Sequence, residues 1–172
     1  MDWRLRRAST EDAAALALVA GATFLEAFAG VLSGPDIVAH CAAKSSVDVF
    51  AAWAADPASV VTLAEAAAGQ APIGYTVLTA PELPVPPGPA DIELRRIYAL
   101  THTHGHGLGP ALMERAVADA RSLGCKRLLL GVYGRNLRAH RFYDKQGFAR
   151  IGTRQFRVGA TLHDDFVYAR SI

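Results

Sequence analysis

His104-Gly105-His106-Gly107-Leu108-Gly109 is the stretch from which the rest of the chain can be ordered. Upstream lies an extended run, Ile92-Glu93-Leu94-Arg95-Arg96-Ile97-Tyr98-Ala99-Leu100, and downstream a helical run from Pro110 to Leu123 with no interior glycine. Glycines let the main chain approach a ligand closely and adopt positive φ. The N–H groups of a helix's first turn point outward and carry partial positive charge. The segment therefore reads either as a backbone anion site or as a tight strand-to-helix connection whose glycines serve geometry alone. A dinucleotide-binding fold would place such a turn after its first strand, with an acid about 20 residues on; here the turn follows the fourth. No Lys-Ser/Thr pair follows the glycines, which excludes a Walker-type phosphate loop.

Working outward, Trp3 to Arg7 reads as a first strand and Ser9-Thr10-Glu11-Asp12 as the capped start of a helix. Leu16, Val19, Ala20, Thr23, Phe24 and Phe28 continue that helix at helical spacing, until Gly30, Ser33, Gly34 and Pro35 break it. Helices follow over Asp36 to Ala43 and Val47 to Ala55. Val60 to Ala64 and Ile73 to Leu78 form a predicted antiparallel hairpin. Pro81, Pro84, Pro86, Pro87 and Pro89 make the next stretch a loop that cannot join a sheet ladder. Beyond the glycine turn and its helix come a strand over Arg127 to Tyr133, a helix over Asn136 to Gln146 closed by Gly147, and a final hairpin over Ala149 to Arg157 and Leu162 to Arg170. This is mixed α+β: one sheet flanked by helices, with one strand-helix-strand unit in its middle.

The 172 residues have the size of one domain, 51% hydrophobic and 20% charged, which is globular and not disordered. A formal charge of +2, with acids and bases interspersed, gives no footprint for nucleic acid. No apolar run approaches the roughly 20 residues that cross a bilayer. Positive charge at the N-terminus is not followed by an apolar stretch, so no secretory signal is visible and a cytoplasmic protein is expected. Cys41 and Cys125 could form one bridge at most, and two reduced thiols is the plainer reading.

Ile97-Tyr98-Ala99-Leu100, then His104-x-x-Gly107-x-Gly109, then Asn136-x-x-Ala139-x-x-Phe142-Tyr143-x-x-x-Gly147-Phe148, resembles the GNAT family of N-acetyltransferases over about residues 91 to 157. Fainter similarity, in Thr23-Phe24-x-x-x-Phe28, Ile92-Glu93-x-x-Arg96, His106-Gly107-Leu108-Gly109 and Leu130-Gly131-Val132, is to the bacterial spermidine/spermine branch. The resemblance implies one domain over 1–172, a mixed, mostly antiparallel sheet of about seven strands with splayed central strands, and four to five flanking helices. It implies acetyl-CoA as co-substrate, no metal, and direct attack of a small primary amine on the thioester, a polyamine leading. Acceptors of other kinds (an amino acid, an antibiotic, a protein N-terminus) and a non-catalytic acyl-CoA sensor stay open, as does monomer or homodimer.

Residue by residue, the resemblance places the coenzyme diphosphate on the main chain around His104, Gly105, His106, Gly107, Leu108 and Gly109. Its pantetheine arm would run along the main chain of Ile97, Tyr98 and Ala99, and Asn136 would touch the coenzyme. Tyr143 would protonate the departing thiolate: a phenol near pKa ~10 can serve a thiol near ~8.5 only if well positioned. Its alternative is a core aromatic. Glu93 is the candidate base for the incoming ammonium, against an ordered water or a simple arginine partner; Glu26 and Glu65 could equally contribute negative charge for a polyamine. Two departures stand out. His104 occupies a position that is usually Arg or Gln in the family, and neutral imidazole holds a diphosphate less well than guanidinium. Pro110 removes one N–H from the helix's first turn. The tract His102, His104, His106 could bind a metal, but no Cys or carboxylate within it completes a ligand set. Cys125, just before an apolar strand, reads as packing and not as a nucleophile.

Overall fold

The computed structural model describes residues 2–158 and 161–172. Seven strands form one sheet: β1 (Trp3–Arg7), β2 (Val60–Ala66), β3 (Pro72–Thr79), β4 (Asp91–Ala99), β5 (Arg127–Tyr133), β6 (Ala149–Val158) and β7 (Thr161–Ser171). Their spatial order is β1-β2-β3-β4-β5-β7-β6, antiparallel throughout except for β4 beside β5. Five α-helices flank it: α1 (Ala13–Phe28), α2 (Gly34–Lys44), α3 (Val47–Ala55), α4 (Leu108–Ser122) and α5 (Leu137–Lys145).

The helices divide between the two faces. On one, Met113, Ala116, Val117 and Ala120 of α4 and Tyr143 of α5 bury against Ile92, Leu94, Leu128, Leu130 and Val132. On the other, Leu16, Val19 and Ala20 of α1 and Phe50 of α3 bury against Val61, Leu63, Tyr75 and Val77. Covered on both sides, β2 and β3 lose the polar alternation of a half-exposed strand and run almost wholly buried.

Helix starts differ from the sequence reading, α2 by opening at Gly34 rather than Asp36. The Asp12 carboxylate accepts from the Ser9 N–H at 2.8 Å and clasps the Arg6 guanidinium at 2.6 and 2.8 Å, so Thr10–Asp12 forms a short 3-10 turn and α1 begins only at Ala13. Gly107 adopts φ +84° as the N-cap of α4, so that helix opens at Leu108, two residues before Pro110.

The feature that positions the site is the brevity of the parallel contact. β4 meets β5 only at Asp91↔Arg127, Ile92↔Leu128 and Glu93↔Leu129. Beyond those pairs β4 follows β3 as far as Ala99 and β5 follows β7 as far as Tyr133, leaving a cleft between them. A β-bulge accompanies the split: Leu94 opposes Leu78 and Arg96 opposes Val77, so Arg95 is an extra residue. A bulge bends its strand and resets the alternation of faces. Leu94 and Ile97 therefore both serve the α4 face, while Glu93, Arg95, Arg96 and Tyr98 all line the opposite side of the cleft.

Candidate active site

Two cavities meet across this cleft. The first, about 800 Å³, is a groove on the α4 and α5 side, floored by Ile97, Tyr98 and Ala99 and closed by the glycine turn and α5. Gly105 and Gly107 both adopt φ +84°, a conformation that side chains with a Cβ rarely take. Leu108 and Gly109 are the first two residues of α4, so their N–H groups have no acceptor within the helix. Pro110, the third, has no N–H to offer.

His104, Gly105, Gly107, Gly109, Asn136 and Tyr143 line the groove with the three strand residues. The other two residues of the expected turn, Leu108 and His106, are not part of that lining. The Leu108 side chain is 1% exposed in the core, so only its main chain is available, and His106 is solvent-exposed outside the lining. Asn136 caps α5, its Oδ1 accepting from the Ala139 N–H at 3.0 Å, which leaves its amide N–H groups for a ligand. The His104 ring turns back onto the strand end, with Nε2 3.1 Å from the Ala99 carbonyl. Burial first, and then the nearby Arg138 charge, push the imidazole below its ordinary pKa, so it is neutral at pH 7. The positive charge missing there comes from α5 and the turn before it: Arg135 and Arg138 line the same groove and meet no carboxylate among the described residues. Burial raises the Tyr143 phenol above its ordinary pKa, with Tyr98 adding to the rise, so it stays protonated well above neutrality.

The second cavity, about 610 Å³, opens on the opposite side of the sheet. Its walls are aromatic and come from separate elements: Phe24 stacks on His40 at 4.2 Å, Phe28 lies edge-on to Tyr133 at 6.1 Å, and Tyr133 lies edge-on to His163 at 5.4 Å. Across its floor the Arg154 side chain reaches from β6 over β7 to Gly131 on β5. A Cβ at residue 131 would stand 2.6 Å from the Arg154 guanidinium, so glycine is what admits that charge to the edge of the cleft. Arg154 pairs with Asp165 at 3.3 Å. The other Asp165 oxygen, Oδ1, is buried without a hydrogen-bond partner among the described residues, and burial raises that carboxyl's pKa against the pull of Arg154.

Glu93 does face this cavity, but one of its oxygens is engaged: Oε2 accepts from the Glu82 N–H at 2.7 Å and lies 3.9 Å from Arg95. The other two acids proposed from sequence are elsewhere. Glu26 receives the Thr101 N–H and hydroxyl at 2.8 and 2.9 Å at the groove rim, and Glu65 is bound by Arg4 and Arg6 at 2.8 Å on β2. Arg154, Asp165 and the paired use of Arg95 and Arg96 were not read from sequence. A glycine inside an otherwise apolar strand, Gly131, was the one available sign that something must approach it. No group of three or more His, Cys, Asp or Glu side chains among the described residues is arranged to hold a metal ion, and both cysteines are free thiols.

The comparisons with known proteins agree with this geometry. The family model for the acetyltransferase (GNAT) family matches residues 31–148. An uncharacterized N-acetyltransferase of Mycobacterium tuberculosis is 36% identical over 161 residues, covering 94% of this chain and 98% of the relative, and one of Mycobacterium bovis is equally similar. Among solved structures, the PaiA N-acetyltransferase of Thermoplasma acidophilum, crystallised in complex with coenzyme A, superposes with a TM-score of 0.82 at 22% identity over the whole of both chains. The ribosomal-protein-S18-alanine N-acetyltransferase of Escherichia coli superposes at 0.72 with 16% identity, covering 99% of this chain and 94% of that one. At such identities the superpositions speak for the fold alone, whereas the family model spans most of the chain: the chain belongs to the GNAT family and is an acetyltransferase.

Proposed function

We propose that this enzyme moves the acetyl group of acetyl-CoA to a primary amine of a small molecule, within a complex that holds both substrates at once. One observation carries the reading: the two cavities share Phe28, Arg95, Arg96, Tyr98, Gly131 and Tyr133, so a ligand in the groove and a ligand in the aromatic cavity meet at the split between β4 and β5. Acetyl-CoA supplies an activated thioester there. The glycine turn, with the α4 N-terminus, would hold the diphosphate through main-chain N–H groups, and Arg135 and Arg138 would supply the charge that His104 lacks. Tyr143, kept protonated by burial, is a proton donor and not an acceptor at neutral pH, as the departing thiolate requires. The amine's proton would pass to the open oxygen of Glu93, directly or through water.

A polyamine fits this cavity poorly. Its lining holds Glu82, Glu93 and Asp165 against Lys44, Arg95, Arg96 and Arg154, and each acid already has an arginine beside it. A chain of ammonium groups would enter a site of the same sign. The test is direct. Saturating acetyl-CoA should raise the melting temperature, since a ligand specific to the native state must stabilise it, and amine-dependent release of coenzyme A thiol should follow. No shift in melting temperature would end the assignment.

A further inference from the structure

The charge left over in the aromatic cavity narrows the acceptor. Arg96 is held by two hydrogen bonds, Nη1 to the Ser45 hydroxyl and Nη2 to the Lys44 carbonyl, each at 2.7 Å, and its guanidinium lies 5.4 Å from the centroid of the Trp53 ring. A guanidinium carries five N–H donors, and among the described residues no carboxylate lies within ion-pair distance of this one. Every other arginine of the cavity has an acid: Arg95 has Glu82 at 2.7 Å and Arg154 has Asp165 at 3.3 Å. Lys44, in the same wall, is likewise without an acid partner among the described residues. His40, against Phe24, is half-buried and pushed down to about 4, first by burial and then by Arg96 and Lys44. A fixed, unpaired guanidinium backed by a lysine inside an apolar-walled cavity is a docking point for an anion.

We infer that the acceptor is a free amino acid: a primary amine with an adjacent carboxylate held by Arg96 and an apolar or aromatic side chain lying among Phe24, Phe28, Trp53 and Phe156. The inference rests on the acetyltransferase reading above and sharpens its acceptor site. Position decides between an adjacent and a distant carboxylate. Arg96 is one of the six residues shared by the two cavities, so an anion on it stands at the level where acetyl transfer occurs. The reacting nitrogen must therefore be close to the carboxylate, as in an α-amino acid. The same cationic surroundings serve the chemistry, because positive charge nearby disfavours the ammonium form and favours the neutral nucleophile. Arg96 is then a specificity-determining residue.

The test measures kcat/KM by thiol release for the twenty L-amino acids, for L-phenylalaninamide beside L-phenylalanine, for 6-aminohexanoate beside its isomer L-norleucine, and for spermidine. The expected wild-type result is a preference of about tenfold or more for each α-amino acid over its partner, the scale of one charge-assisted contact. In R96Q the ratio of acid to amide falls toward one, and in R96K it is partly kept. A ratio is read because it is insensitive to the fraction of variant that folds. The inference is overturned if the amide, 6-aminohexanoate or spermidine matches the α-amino acids, or if R96Q keeps the wild-type ratio. It is also overturned if no amino acid turns over while acetyl-CoA still raises the melting temperature. Absence of that thermal shift would instead strike the acetyltransferase reading beneath it.

Discussion

The groove and the aromatic cavity face each other across one cleft, yet they are built from opposite materials. The groove presents main chain at its centre, with three strand residues, two left-handed glycines and the start of a helix within Ile97 to Gly109, and α1 and α5 as its walls. The cavity presents side chains from α1, α2, α3, β4, β5, β6 and β7 and the loop between β3 and β4. A surface of peptide N–H groups keeps its chemistry whatever the surrounding side chains, which suits a ligand that never changes. A surface of converging side chains can be altered one residue at a time, which suits one that does. The residues at the seam, Tyr98 and Arg96 above all, belong to both.

Several substitutions would break or sharpen that division. The largest effect is expected at Tyr143→Phe, which removes one hydroxyl from the groove side and should lower kcat by about 10²-fold or more while acetyl-CoA binding changes little. An unchanged kcat across the pH range would return Tyr143 to a packing role. Phe50→Ala should cost about 3–5 kcal/mol of stability, since the ring is fully buried between α3, α1 and β3. Urea unfolding with and without acetyl-CoA would measure it, and loss of under 1 kcal/mol would mean the wall of the cavity is not tied to the core. Gly131→Ala and Arg138→Gln form an opposed pair. The first drives a methyl into the Arg154 guanidinium and should raise the acceptor KM more than it weakens acetyl-CoA. The second should weaken acetyl-CoA by about tenfold, in a salt-dependent way, with acceptor KM kept. Equal effects of both on both ligands would show that the two sides are not separable.

The smallest effect is in pH. Because the folded His40 pKa is depressed to about 4, the unfolded chain binds the extra proton first as pH falls. Stability from this residue is complete above its ordinary pKa near 6.5 and is lost as pH drops from there toward 4. Melting temperature should fall through that window in the wild type, and more gently in His40→Gln. A parallel fall in the variant would assign the slope to other groups.

How much of this was written in the sequence follows from the same contrast. The strand, glycine turn and helix are contiguous, and glycine advertises a backbone requirement by its identity, so the groove could be located before any fold was known. The Phe142-Tyr143 pair could be placed on a helix because helical spacing is local, whereas Asn136, read as the first helical residue, proves to be its cap. Even there, the start of α4 was not legible, because Gly107 at φ +84° caps it and opens the helix two residues before Pro110. The cavity was largely illegible. Arg154 meets Gly131 across an intervening strand, and the bulge at Arg95, which brings Arg95 and Arg96 to one side, exists only in the register of β4 with β3. Glu65 carries the same letter as Glu93, and only the register of β1 with β2 shows that Arg4 and Arg6 claim it. Charge could be counted from sequence; which charges were already neutralised could not.

The parallel contact of only three residue pairs has a consequence for motion. Seen as hydrogen-bonded ladders, the sheet is two antiparallel ribbons, β1-β2-β3-β4 and β5-β7-β6, stitched at Asp91 to Glu93 and backed by the α4 core. The Arg127 guanidinium grips the Asp91 carboxylate at that stitch, one strand from each ribbon. Ribbons joined so narrowly can open as separate cooperative units, each with its own free energy of opening. A ligand lying in the cleft touches both and so couples them. Amide hydrogen exchange should show β5 and β7 protecting on a different scale from β2 and β3 in the free enzyme, and the two scales converging once acetyl-CoA is bound.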